Sequence, residues 1–222
     1  MAKAVRRYLP FLLVALALML LPWLGLNPFY THLGINLGIY VILAISMDLL
    51  VGFSGQTSLG HAAFYALGAY ASGLLAVRLG FPVWLSIPCA AVIGAVITGL
   101  LGMPLMRVSG FYLAMLTIAF DLLTMTLIDQ WPALTGGVNG LYNIPSPTMG
   151  NFFVLGARLN HRGYYYVVWV LAALAFIFQR RFVNSFMGRA LVAIEGSPLA
   201  ASAMGINVAR YRWTTFVLSG TL

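Results

Sequence analysis

Long apolar runs dominate this chain and leave it little choice of fold. A helix needs about 20 mostly apolar residues to cross the hydrocarbon of a bilayer. Windows of that kind cover residues 8–26, 33–51, 59–77, 83–106, 111–128 and 164–178. A seventh begins near Trp213, and the sequence stops at Leu222 inside it, so a truncated form of a longer chain is expected. Within lipid every backbone N–H and C=O must be satisfied by the chain itself, and runs this long do so as helices. The expectation is an all-α, polytopic transmembrane bundle forming one permease-like domain over 1–222, with six spans and the start of a seventh.

Composition excludes the alternatives. Hydrophobic residues make up 62% and charged residues 7%, against about 25% charged in an ordinary soluble domain. Lys and Arg outnumber Asp and Glu 12 to 4. That excess is scattered between apolar runs, which fits the positive-inside rule and not a nucleic-acid surface. The one cysteine, Cys89, sits in an apolar run, so neither an internal disulfide nor a Cys-based metal site is expected. Lys3, Arg6 and Arg7 precede the first run as in a signal peptide, but no small-x-small cleavage site follows, so it reads as a retained helix. With the N-terminus in the cytoplasm, nine basic residues lie inside (Lys3, Arg6, Arg7, Arg107, Arg180, Arg181, Arg189, Arg210, Arg212) and Arg78, Arg158 and Arg162 lie outside. The window 59–77 is rich in small residues and follows a Gly-Phe-Ser-Gly-Gln-Thr-Ser run that has the character of a re-entrant segment.

One break between runs is written in helix grammar. Over 188–207, Ser197 suits an N-cap, Pro198 the first helical position, and Gly205 a left-handed C-terminal residue. Phe186 to Ile194 reads as a preceding short helix, with arginines on both sides. A compact helical hairpin at a membrane surface is expected over 184–207, offered to a partner.

Nothing spells out a catalytic constellation. No Walker-type loop, His/Glu metal spacing or Ser nucleophile elbow occurs, so no catalytic residue, metal or cofactor is assigned. Gly136-Gly137-Val138-Asn139-Gly140 reads as a turn at the outer surface. Ionisable residues inside spans are functional hypotheses by default. Asp121 falls about 15 Å into its window and reads as an interhelical hydrogen-bond partner or a pathway residue. Asp48 reads as an ion-pair partner of Arg107, and His61 as a structural donor. Small residues at Ala62/Ala66, Ala69/Gly73 and Ala90/Gly94/Thr98 suit helix interfaces. Trp84, Trp131, Trp169 and Tyr164–Tyr166 suit an outer aromatic belt.

The stretch from Asn36 to Tyr70, which contains the run Gly-Phe-Ser-Gly-Gln-Thr-Ser-Leu-Gly-His-Ala-Ala over 52–63, closely resembles the inner-membrane permeases of branched-chain amino acid ABC importers, in the second of their two permease types. Gly110–Phe120, Thr135–Leu141 and the hairpin agree, in the same order. The resemblance implies a non-enzymatic subunit working by alternating access. Its partners would be a second permease, two separate ATPases and an external binding protein. It also implies that Gly188, Arg189, Ala193, Glu195, Ser197, Ala200, Ala201 and Gly205 belong to a segment docking on an ATPase, although Glu195 and Pro198 depart from the usual charge pattern. Gln56, Ser58, His61, Asp121 and Asn139 are the polar candidates for a translocation path. The runner-up within the class is a urea or short-amide permease. From another class, an ATP-independent channel or carrier would need a midplane ion site.

Overall fold

The computed structural model describes residues 28–105, 108, 110–145 and 161–222. The first apolar window, Arg107 and Arg158 lie outside them. The described elements are α1 (Pro28–Val51), α2 (His61–Arg78), α3 (Val83–Leu105), α4 (Phe111–Gln130), the short α5 (Pro132–Thr135), a 3₁₀ turn (Gly137–Asn139), α6 (His161–Val183), α7 (Phe186–Gly196), α8 (Pro198–Ala203) and α9 (Val208–Thr221). The fold is an all-α bundle, with no strand among the described residues.

Four of these helices are long and apolar enough to cross a membrane: Phe29–Val51, Val83–Pro104, Phe111–Gln130 and Gly163–Val183. Among the expected windows, 59–77 does not qualify by itself. Its helix has only 18 residues and carries His61 and Arg78 at its ends. The short α9 begins before Trp213, because Asn207 caps it by accepting from the Arg210 N–H at 3.1 Å.

Side by side, the main helices of the bundle run α6–α1–α9–α3–α2–α4, with the hairpin of α7 and α8 against α6 and α9. Small residues set the close approaches, as expected where lipid gives no hydrophobic drive between helices. On α1, Gly34 and Gly38 form a groove for α6. A Cβ at Gly34 would stand 2.5 Å from the Tyr165 ring, and one at Gly38 would stand 2.6 Å from Val168 Cγ1. Gly94 and Thr98 of the expected α3 stripe face Gly220 of α9. In the α2 stripe Gly73 meets Leu141, whereas Ala62 and Ala69 are exposed. Trp169 lies against Gly38 in the α1–α6 contact.

The centre is aromatic. Phe64 of α2 packs edge-on against Phe216 of α9 and tilted against Phe120 of α4, both at 5.5 Å, with Leu50 and Leu113 closing the cluster. Asp48 joins α1 to α6 by accepting from Gln179 Nε2 at 2.5 Å. The opposite end is tied by Arg78, which donates to the carbonyls of Ala133 and Leu134.

Candidate functional site

Two features stand apart from ordinary bundle packing, and they touch each other. One is the hairpin. Ser185 caps α7 by accepting from the Gly188 N–H, and Ser197 caps α8 by accepting from the Ala200 N–H at 3.3 Å, with Pro198 at the first helical position. The α8 end is a Schellman closure. Gly205 has φ +82°, its N–H reaches the Ser202 carbonyl at 3.0 Å, and the Ile206 N–H reaches Ala201 at 3.1 Å. Leu191, Ile194 and Ala201 face the bundle, while Leu199, Met204 and Phe186 are 83%, 84% and 72% exposed.

The expected docking residues therefore separate into two groups. Arg189, Ala193, Glu195, Ser197, Ala200 and Gly205 are exposed. Gly188 and Ala201 are turned inward, because α7 and α8 bury that face. Any Cβ at Gly188 would run into the Val183 carbonyl, so glycine there lets α7 fold hard against the end of α6. Arg189 donates back to the Asn184 carbonyl at 3.0 Å.

The second feature is the run between α1 and α2. After Val51 the chain turns back into the bundle with Gly55–Gly60 outside any helix. Burial alternates along it, with Ser54, Gln56, Ser58 and Gly60 inside and Gly55, Thr57 and Leu59 outside, the period of an extended chain. Thr57 Oγ1 donates to the Gly110 carbonyl at 2.9 Å, and the Leu59 N–H donates to Thr117 Oγ1 at 3.0 Å. Gly110 precedes α4 and Thr117 lies in its second turn, so the run advances along α4 as it enters the bundle. A Cβ at Gly60 would lie 2.5 Å from the Thr117 carbonyl, so only glycine passes there. The run thus enters the bundle as an extended segment, and α2 starts inside, at the level of Thr117. From there α2 continues to Arg78 beside the far end of α4. The extended segment and α2 together run the length of α4.

Three polar side chains of this run are buried. Gln56 donates from Nε2 to Ser54 Oγ at 2.8 Å and to the Arg212 carbonyl at 3.1 Å, and its Oε1 has no partner. Ser58 is buried with an unpartnered hydroxyl. His61 closes a cluster joining three helices. Ser46 Oγ donates to the Ser219 carbonyl at 2.5 Å, and Ser219 Oγ donates to the Ser46 carbonyl at 2.8 Å. His61 Nε2 lies within hydrogen-bonding distance of both hydroxyls, 3.1 Å from Ser46 Oγ and 2.8 Å from Ser219 Oγ. His61 Nδ1 is buried without a partner.

The remaining candidates lie elsewhere. Asp121 sits on α4 one turn beyond Thr117. Its Oδ1 is buried with no partner, so that oxygen does not make the interhelical hydrogen bond expected of it. Asn139 is exposed in the 3₁₀ turn at the far end, flanked by Gly136, Gly137 and Gly140 in left-handed φ. The two features meet at Gly55. It has φ +62°, and a Cβ on it would sit 3.3 Å from Glu195 Cγ.

Four helices long and apolar enough to cross a membrane, a capped hairpin and a polar segment buried between helices make the architecture of a multi-pass membrane protein. The chain belongs to the family described as branched-chain amino acid transport system / permease component, whose pattern matches residues 29–222. It is 32% identical over 200 residues to the high-affinity branched-chain amino acid transport system permease protein LivM of Escherichia coli (strain K12), covering 82% of this chain and 47% of that protein. It is 30% identical over 154 residues to the nucleoside ABC transporter permease protein NupC of Lactococcus lactis, covering 63% of this chain and 45% of that protein. It is 25% identical over 186 residues to the ribose import permease protein RbsC of Haemophilus influenzae, covering 82% and 51%. The chain spans about half the length of the curated relatives it matches. No solved structure matches it.

Proposed function

We propose that this chain is a permease subunit of an ATP-driven importer that carries branched-chain amino acids across the inner membrane by alternating access. The observation that carries this reading is the 32% identity to LivM over 82% of the chain. In this reading the subunit is no enzyme, and ATP is hydrolysed by two separate ATPase subunits. A second permease completes the path, an external binding protein delivers substrate, and the N-terminus is cytoplasmic.

The geometry supports a way to couple the two ends of that machine. Exposed Leu199 and Met204 at the tip of α8 are apolar knobs for a groove on an ATPase, with Ala193, Glu195 and Ala200 beside them. Gly188 and Ala201 hold the hairpin against the bundle. A shift of the hairpin reaches Gly55 through Glu195, and Gly55 begins the segment that carries Gln56, Ser58 and His61. Motion at the ATPase would thereby move the polar segment and the start of α2. Asp121 lies further along the same helix, α4, and Asn139 stands at the outer end of the path.

The test is uptake of labelled leucine, isoleucine and valine by the full-length protein expressed with its ATPase, sister permease and binding protein. Uptake is expected to stop when the ATPase is disabled by mutation of its nucleotide site. Uptake that persists would overturn the ABC reading in favour of a carrier or channel. The relationship to NupC favours one second reading, nucleoside import, and ATP-dependent uptake of nucleosides in place of leucine would establish it.

A further inference from the structure

Helix α4 ends the row of helices and leaves most of its surface uncovered, yet one flank of that surface does not suit lipid. Among the described residues α4 packs mainly on α2 and on α5 and the 3₁₀ turn that follow it. Its inward side carries Leu113, Ala114, Thr117 and Thr124. Asp121 stands at the border of that side. Exposed Ile118 and Met125 lie three residues before it and four after it, and exposed Leu122 is next to it, so the four share one flank. Asp121 is about 15 Å along the helix from Phe111, in the middle of the span. Its side chain is half-buried, and among the described residues no group hydrogen-bonds its carboxyl. A residue at this border meets whatever covers the flank.

Other spans show what a lipid-facing surface looks like in this chain. On α3 the outward stripe is Val92, Val96 and Leu100, and on α6 it is Val170, Leu174 and Ile177, all exposed and all apolar. Neither helix places an acidic or basic residue in the middle of its span. An acidic group at that depth is costly against hydrocarbon, and such residues face protein or a water-filled path. The flank of α4 that carries Asp121 is therefore set apart from the outward stripes of α3 and α6. Its neighbour has also to bring a hydrogen-bonding partner, because a carboxyl group left without one inside the membrane is destabilising.

We propose that the flank of α4 formed by Ile118, Asp121, Leu122 and Met125 is the contact with the second permease subunit, which brings a hydrogen-bond donor to the Asp121 carboxyl. The choice of occupant rests on the importer reading: the path runs between two permeases, and a mid-span acidic group belongs beside it. The place of α4 at the end of the row agrees, since α2 covers its other side. Thr57 and Leu59 tie the polar segment to this same helix through Gly110 and Thr117, so a movement started at the hairpin would reach the contact.

The experiment uses the full-length protein in membranes with its sister permease and ATPases. The photo-crosslinking residue p-benzoylphenylalanine replaces Ile118, Leu122 or Met125 on α4, and Val92, Val96 or Leu100 on α3 as controls. Illumination is expected to join the sister permease to the α4 positions and not to the α3 positions, read as an adduct that carries the tags of both subunits. Adducts of the α4 positions with lipid alone, with the subunit's own chain or with a second copy of it would overturn the proposal, as would equal linking from α3. In parallel, Asp121→Leu is expected to lower the sister permease recovered with the tagged subunit about tenfold, the effect of one lost hydrogen bond to a carboxyl group. Asp121→Asn, which still accepts, should stay near wild type. Equal recovery with Asp121→Leu would overturn the donor. Any of these results, found in an assembly that contains the sister permease, leaves the importer reading standing. A wild-type protein that recovers neither sister permease nor ATPase would overturn that reading, and the contact with it.

Discussion

At the scale of single residues, Gly205 is the sharpest case. Its φ of +82° closes α8, and open space surrounds its missing Cβ, so only conformation forbids a side chain there. Gly205→Val should cost about 1–2 kcal/mol of local stability at the helix end. Transport should fall in that variant while Gly205→Asn stays close to wild type, because Asn tolerates the left-handed region. Equal uptake in Gly205→Val and wild type would show that the α8 end is not part of coupling. A second case is the exchange of hydroxyl bonds between Ser46 and Ser219. A double-mutant cycle of Ser46→Ala and Ser219→Ala, read as unfolding free energy, should give a coupling of about 0.5–2 kcal/mol. The two cases differ in how far the sequence announces them. Ser197, Pro198 and Gly205 are legible because capping is local chemistry within a few residues. The serine pair is separated by 173 positions, and nothing near Ser46 or Ser219 in the chain marks it.

Elements tell a similar story. Each apolar window within the described residues became a helix, since hydropathy and backbone satisfaction act on the same stretch. The window at 59–77 hid a break, because Leu59 and Gly60 are apolar enough to extend it backwards. Only the polar alternation from Ser54 to Ser58 hinted that the chain enters the bundle extended. The α1 groove at Gly34 and Gly38 follows the Gly-x-x-x-Gly spacing and was readable in principle, though it lay inside an otherwise ordinary span. It is testable, since Gly34 has no room for even one carbon beside the buried Tyr165 ring. Gly34→Leu should destabilise the α1–α6 pair by about 1–3 kcal/mol, seen as a lower melting temperature of the purified protein. Gly68→Leu on α2, where no atom stands within 4 Å of the missing Cβ, should change it far less. Similar losses in both variants would mean that the groove is not a tight contact.

For the molecule as a whole, the question is which end faces the cytoplasm. Among the described residues, Arg180, Arg181, Arg189, Arg210 and Arg212 gather at the end that carries the hairpin, and Arg78 stands at the other with α5 and the 3₁₀ turn. Because the extended segment and α2 together run from one end of α4 to the other, the break inside the 59–77 window leaves this assignment of ends intact. Loop cations are retained on the cytoplasmic side, so the hairpin should lie inside. Two positions report on this directly, Leu199 at 83% exposure on α8 and Val138 at 86% in the 3₁₀ turn. With Cys89 replaced by Ala, Leu199→Cys should react with a membrane-impermeant maleimide only in inverted vesicles, and Val138→Cys only in right-side-out cells. The opposite pattern would put the hairpin outside, away from any ATPase. Labelling of both positions from one side would mean that the bundle does not separate its two ends across the membrane.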